Sequence, residues 1–119
     1  MIDKIKDKIE NVIVAIATVN KKGEPHNISV ACVKIKDDKI VITDNYMKST
    51  VENIKNNPKV SLVFWYGKEG SEEGYRINGE AKYFNSGKWL EFVKGLKENK
   101  DYPAKGAIVI EVNEIKKLG

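Results

Sequence analysis

Apolar and polar residues alternate along much of this chain, and the alternation predicts a protein built mainly of β-strands. Runs rich in β-branched and aromatic residues predict six strands, most of them joined by short turns. These are residues 12–19, 26–36, 40–43, 59–66, 74–84 and 107–112. The run 26–36 loses its alternation near the middle, which indicates a bulge or a bend.

Three short segments carry apolar residues at spacings of three and four, the pattern of an amphipathic helix. The first contains Ile2, Ile5 and Ile9 among charged residues, and it is short enough that it must pack on the rest of the domain. The second helix begins near Ser49, and the third covers residues 89–96. Six strands with short connections favour a closed or nearly closed antiparallel barrel over a βαβ sheet.

The length and composition predict one domain and exclude several kinds of site. The 119 residues, 1–119, contain no linker, and no apolar run reaches the roughly 20 residues of a membrane helix. The charged N-terminus is unlike a secretory signal, so we expect a cytoplasmic protein that binds no membrane. One cysteine, Cys32, and one histidine, His26, exclude a disulfide and a multi-histidine metal site. We interpret His26 as solvent-facing or structural.

The net charge of +4 comes from lysine, since Arg76 is the only arginine. The lysines are spread along the chain and interleaved with acidic residues. Nucleic-acid-binding proteins cluster their basic residues and favour arginine for reading base edges. The charge pattern therefore favours a phosphorylated small molecule over a polymer, and we expect Arg76 to form a structural ion pair.

The stretch 43–53 joins the third predicted strand to a helix, and its residues are those of an anion site. A strand that ends in hydroxyl, amide and lysine side chains at a helix N-terminus is typical of phosphate binding. Lys48 supplies a positive charge, and the hydroxyls of Ser49 and Thr50 can donate to phosphate oxygens. Together with Glu52, the same residues also fit a capping box that needs no ligand. From these residues alone, both interpretations remain open.

Several short motifs, each weak by itself, are informative in their order and spacing. They are Val14-Ala15-Ile16-Ala17-Thr18, Gly23-Glu24-Pro25-His26, Ile40-Val41-Ile42-Thr43-Asp44-Asn45, Lys48-Ser49-Thr50-Val51-Glu52-Asn53-Ile54, Asn57-Pro58-Lys59-Val60-Ser61-Leu62 and Gly74-Tyr75-Arg76-Ile77-Asn78-Gly79-Glu80-Ala81. In this order they resemble the FMN-binding split barrels, the pyridoxamine 5'-phosphate oxidase-like family, and above all its small stand-alone members. The resemblance implies a six-stranded antiparallel split β-barrel that forms a homodimer, with one FMN near the subunit interface on each side.

The resemblance also implies where the cofactor lies. By position, the phosphate falls on Lys48, Ser49 and Thr50, at the start of the helix after the third strand. The isoalloxazine ring lies along the second and third strands, which here means Ser29, Val30, Ala31, Ile42, Thr43 and Asp44. Relatives usually place the basic residue at the position of Ser49 or Thr50, so either Lys48 or Lys34, on a neighbouring strand, is expected to supply the charge.

The function that the resemblance implies is electron or hydride transfer by a bound flavin. Three uses compete: an oxidase or reductase with a small substrate, a flavin reductase, and an electron carrier. The short chain leaves little room for a substrate pocket, which favours a carrier or a reductase supplied by a nicotinamide or protein electron donor. The cofactor is either FMN or a larger deazaflavin, and its chemistry would be its own, with the protein providing position and electrostatics.

A second interpretation belongs to a different class. A non-catalytic small barrel can bind single-stranded nucleic acid by stacking bases on Phe64, Trp65 and Tyr66, with lysines around them. These aromatic residues end a strand that is expected to be buried, and this position favours a role in the core or the dimer interface. The flavin interpretation is therefore preferred, and no nucleic-acid partner is expected.

Overall fold

In the computed structural model, which describes residues 2–118, the chain forms seven strands and three short α-helices. The strands are β1 (Val14–Val19), β2 (Pro25–Val30), β3 (Val33–Lys36), β4 (Lys39–Asp44), β5 (Lys59–Tyr66), β6 (Glu73–Phe84) and β7 (Gly106–Leu118). The helices are α1 (Lys6–Ile9), α2 (Ser49–Asn56) and α3 (Gly87–Lys94), with 3-10 turns at Ile2–Ile5 and Lys97–Asn99. None of these helices has the length and hydropathy to cross a membrane.

The strands form one antiparallel sheet in the order β2-β1-β5-β6-β7-β4-β3. Strands β2 and β3 lie at opposite edges although only Ala31 and Cys32 separate them in the chain. The sheet must therefore curl until its two edges approach each other, and the result is an antiparallel barrel split between β2 and β3.

The prediction of six strands was wrong, because the predicted strand 26–36 is two strands. The chain leaves one edge of the sheet after Val30 and joins the other edge at Val33, and the lapse in alternation marks this crossing. The mainly β architecture with short helices and the split barrel are confirmed.

Most of the hydrophobic core lies inside the barrel, where alternate residues of every strand meet. The N-terminal segment packs into this core through Ile2, Ile5 and Ile9, as their spacing predicts. A smaller cluster lies on the outer face, where α3 packs on β6 and β7 and Val41 of β4 joins them. Its buried members are Val41, Trp89, Leu90, Val93, Ala104, Ala107 and Val109.

Two local features of the sheet follow from particular residues. Asp37 and Asp38 both have positive φ, 54° and 58°, which is the backbone of the tight hairpin between β3 and β4. On β6 the register with β7 shifts between Asn78 and Gly79, the kind of irregularity that a glycine within a strand indicates. A side chain at position 79 would collide with the carbonyl of Glu111, and only glycine allows this close approach.

The last strand extends well beyond the predicted 107–112. Strand β7 continues to Leu118 because β6 offers a partner along this whole length, although the residues after Val112 are mostly polar and exposed. Arg76 on β6 pairs with Glu114 on β7, with 3.7 Å between Nη2 and Oε1. The predicted ion pair of Arg76 is therefore formed.

Candidate functional site

A cavity of about 740 Å³ lies at the split of the barrel. The end of β2, the Ala31-Cys32 link and β3 form one part of its wall. The opposite part is formed by residues 45–48, by the first turn of α2 and by the segment after α3. The split therefore brings the third predicted strand, its following helix and a distant segment of the chain to one site.

Eight of the ten predicted site residues lie on the wall of this cavity. They are Ser29, Val30, Ala31, Lys34, Thr43, Lys48, Ser49 and Thr50. The structure does not bring Ile42 and Asp44 to the wall, and both are fully buried. Alternate residues of β4 face the interior of the barrel, so Ile42 belongs to the core while Thr43 faces the opposite side.

The start of α2 presents unpaired groups to the cavity. Lys48 is the N-cap residue and no side chain caps the helix, so the predicted capping box of Ser49 and Glu52 is not formed. The backbone carbonyl of Lys48 takes part in the helix, because it accepts a 3.1 Å bond from the Glu52 amide. The first-turn amides have no partner within the helix. Thr50 is 2% exposed, and its hydroxyl has no hydrogen-bond partner within residues 2–118.

The two candidate cations of the site differ in their surroundings. Lys34 forms an ion pair with Glu98, which lies in the 3-10 turn after α3. Their hydrogen bond raises the pKa of Lys34 and lowers the pKa of the Glu98 carboxyl. In the described part of the chain Lys48 has no carboxylate partner, and its side chain is exposed. Lys48 is thus the cation that is available to an anionic ligand.

The loop 45–48 is held by Asp44, a carboxylate that is 0% exposed. Its Oδ1 accepts a 2.8 Å bond from the Met47 amide, and its Oδ2 accepts a 2.6 Å bond from the Tyr83 hydroxyl. Burial and this bond to Asp44 raise the pKa of Tyr83, which therefore remains the proton donor. Asp44 supports the loop from behind instead of lining the cavity.

The segment between α3 and β7 reaches the cavity because it is bound to the same loop. Asn45 and Asn99 exchange two amide hydrogen bonds of 2.9 Å, and the Ala104 amide donates to Asn45 Oδ1 at 2.9 Å. The Lys105 amide donates to the Asp44 carbonyl at 2.9 Å. These bonds bring Glu98, Asn99 and Tyr102 to the wall.

Several lining residues were not singled out as site residues from the sequence. His26, interpreted there as solvent-facing or structural, is half-buried on the wall. Cys32 also lines the cavity and accepts a weak 3.6 Å bond from the Thr43 hydroxyl. Tyr46 lies in the stretch 43–53, which the sequence indicates as an anion site, so its place on the wall could have been predicted. Tyr102 lies far away in the chain, and no sequence signal pointed to it.

The three aromatic residues at the end of β5 do not form one stacking surface. Phe64 is buried inside the barrel, where its ring stacks on Tyr75 with 5.4 Å between centroids. Trp65 is 61% exposed on the outer face, and a Cβ at Gly74 would lie 2.5 Å from its indole ring. The alternation of the strand therefore places Trp65 on the opposite face of the sheet from Phe64.

Comparison with known proteins identifies the family. The family profile described as pyridoxamine 5'-phosphate oxidase matches residues 1–119. An uncharacterized protein of Methanocaldococcus jannaschii is 35% identical over 98% of this chain and 79% of its own length.

Solved structures share the fold. HupZ of Group A Streptococcus is 26% identical with a TM-score of 0.84, covering 99% of this chain and 94% of that chain. An FMN-binding protein from Syntrophomonas wolfei is 18% identical with a TM-score of 0.81, covering 99% and 86%. This chain therefore belongs to the pyridoxamine 5'-phosphate oxidase family.

Proposed function

We propose that the cavity binds FMN, with the phosphate at the start of α2. The observation that supports this most directly is the set of unpaired groups there: the charge of Lys48, the hydroxyl of Thr50 and the free first-turn amides. A helix N-terminus with a lysine and hydroxyls is a binding site for a phosphate dianion. Ser49, exposed beside them, would add a second hydroxyl.

The ring system of the flavin is proposed to lie along the split, against Ser29, Val30 and Ala31 on one side and Thr43 on the other. This wall is apolar in part and includes backbone groups at a sheet edge, which suits a planar ring with a polar rim. An FMN-binding protein shares this fold. Lys34, paired with Glu98, is proposed to face the ring end of the ligand instead of its phosphate.

The proposed activity is electron or hydride transfer. Bound FMN would supply the redox chemistry, and the residues of the chain would orient it and limit its contact with water. The donor is proposed to be a nicotinamide or an electron-transfer protein in the cytoplasm.

A homodimer is also part of the proposal, because the outer face of the sheet around β1 and β5 is apolar and uncovered. Ala15 on β1 lies opposite Val63 on β5, and both face outwards with Trp65 nearby. Ile13, just before β1, is exposed as well. A contiguous patch of this kind on a small protein marks an interaction surface, and a second copy would cover it.

The flavin proposal is tested by titrating the purified protein with FMN and with riboflavin, which lacks the phosphate. We expect quenching of flavin fluorescence and tighter binding of FMN than of riboflavin. Replacing Lys48 and Thr50 together by alanine is expected to reduce this preference. A protein that neither carries flavin nor quenches it would contradict the proposal, and a preference for a deazaflavin would correct the cofactor.

A haem is the second candidate ligand, because three side chains that can ligate haem iron line the same cavity. They are His26, Cys32 and Met47. A haem-binding protein from Mycobacterium smegmatis shares the fold over 93% of this chain and 50% of its own length, at 17% identity and a TM-score of 0.73. Titration with haemin separates the candidates: a sharp Soret band that is lost in His26→Ala would favour haem, and no spectral change would exclude it.

A further inference from the structure

We propose that Tyr83 and Asp44 form a positioning unit that sets the affinity of the site for the phosphate of FMN. Neither side chain lines the cavity, yet their hydrogen bonds fix the loop that leads to Lys48. This inference rests on the proposed binding of FMN at the start of α2. It assigns to Tyr83, which no sequence pattern singles out, control over a ligand that it does not touch.

The two residues of the unit lie on strands that flank β7. Tyr83 is on β6 and Asp44 ends β4, and β7 lies between these two strands. The Tyr83 side chain passes over β7 at Gly106, the residue that pairs with Asp44 in the sheet, and its hydroxyl reaches Asp44 on the far side. A Cβ at position 106 would collide with the tyrosine hydroxyl. Glycine at this point is what allows the phenol to reach the carboxylate.

The carboxylate fixes the loop through Met47. Asp44 Oδ1 accepts the Met47 amide at 2.8 Å, closing a turn that ends one residue before the N-cap Lys48. The Met47 carbonyl accepts a 2.8 Å bond from Lys105 Nζ, so both backbone polar groups of Met47 are held. Lys48 then has φ −132° and ψ −66°, and α2 starts directly after it. The position of the first-turn amides therefore depends on this turn.

Tyr83 keeps the carboxylate in this place. Asp44 is fully buried, and a buried carboxylate oxygen without a donor is costly. Tyr83 donates to Oδ2 at 2.6 Å. The Nζ of Lys105 is the nearest cation to that oxygen among residues 2–118, and it is 3.9 Å away. Without the phenol hydroxyl, Asp44 would turn towards Lys105 or water. The Asp44–Met47 bond, and with it the start of α2, would then shift.

The test is to measure the affinities of Tyr83→Phe for FMN and for riboflavin. We expect FMN affinity to fall about tenfold, because the shifted start of α2 would lose about one hydrogen bond to the charged phosphate. Riboflavin affinity is expected to stay near that of the wild type, because riboflavin has no phosphate to place. Amide exchange at Met47 is expected to be faster in the variant, which a purely remote packing defect would not cause.

Two further variants make the result specific. Tyr75→Phe removes a hydroxyl on the same strand that bonds Glu73 at 3.2 Å and accepts from Lys8 at 3.0 Å, and we expect it to leave the FMN preference unchanged. Asp44→Asn keeps an acceptor for the Met47 amide, and its amide group can donate to Tyr83, so most of the preference is expected to remain.

The outcomes separate this inference from the proposed function. If the wild type shows no preference for FMN over riboflavin, the phosphate site itself is wrong and the inference falls with it. If the wild type prefers FMN and Tyr83→Phe keeps that preference, the inference alone is overturned. Equal loss of both ligands in Tyr83→Phe, with unchanged exchange at Met47, also overturns it, because it indicates a general loss of stability.

Discussion

Thr50→Val gives a direct measure of the proposed phosphate site, since it changes one hydroxyl in the first turn of α2 and little else. Threonine and valine have similar shapes and similar helix propensities. The Thr50 side chain is buried, and its hydroxyl has no partner among residues 2–118. Removing it should therefore change the free energy of unfolding by less than about 1 kcal/mol in the absence of ligand.

The expected effect on binding is much larger. A hydrogen bond to a charged group contributes ~1.5–3 kcal/mol, and ~1.4 kcal/mol corresponds to a tenfold change in affinity. Thr50→Val should thus weaken FMN binding by about 10- to 100-fold. Riboflavin binding should change little. Isothermal titration or fluorescence quenching with both flavins measures the ratio directly.

Thr18→Val is the matched control. Thr18 is also buried, and its hydroxyl accepts a 3.0 Å bond from the Asn53 side chain on α2, away from the cavity. This change should lower the free energy of unfolding by ~1–3 kcal/mol, because it leaves a buried amide unpaired. It should leave the FMN-to-riboflavin ratio intact. A wild type that prefers FMN, together with a Thr50→Val variant that prefers it equally, would refute the placement of the phosphate.

Contacts elsewhere in the described chain give four more predictions. Lys48→Ala should weaken FMN binding and make it less dependent on salt, whereas Lys34→Ala should weaken the binding of FMN and riboflavin equally. Titrations of both variants with both flavins at two ionic strengths measure these affinities. Trp65→Glu should convert a dimer to a monomer in light scattering, and a dimer that persists would place the interface elsewhere. The pairing with Lys34 lowers the pKa of Glu98 in the folded protein. It therefore stabilises the fold at pH values above the ordinary carboxyl pKa of about 4.5. This stabilisation is lost as the pH falls from 4.5 through the lowered pKa. Glu98→Gln should remove that part of the acid dependence in thermal melts, and an unchanged pH profile would contradict it. Gly106→Ala should displace the Tyr83 hydroxyl, destabilise the fold by ~1–3 kcal/mol and reduce the FMN preference, as measured by unfolding and by titration.

The sequence identified most of the elements because their signals are local. The hairpin at Asp37-Asp38, the irregularity at Gly79 and the burial of Ile2, Ile5 and Ile9 all follow from neighbouring residues. The one error in the strand count arose at Ala31-Cys32, where two strands follow each other with almost no turn. A change of partner strand leaves only a lapse in the alternation, because the chain stays extended through it.

The candidate site was partly visible in the same way. The stretch 43–53 concentrates hydroxyl, amide and lysine groups at the end of a strand, so most of the wall contributed by that stretch was predicted. The family resemblance added the end of β2, Ser29 and Val30, together with Ala31. Whether Lys48 or Lys34 is available was left open by the sequence. The partner of Lys34 is Glu98, which lies far along the chain after α3, and no local pattern connects the two.

Patterns among neighbouring residues were thus enough to predict a β-rich domain and the groups at the start of α2 that can bind phosphate. The cavity that these groups line, and the hydrogen bonds that support them, are determined by the curl of the sheet. Asp44 was predicted to meet the ligand, yet the curl places it under Tyr83 and Gly106, where it holds the loop instead. Strand alternation and helix starts depend on neighbours in the chain, and they can be recognised without a structure. Cavities and buried hydrogen bonds depend on which distant segments the fold brings together.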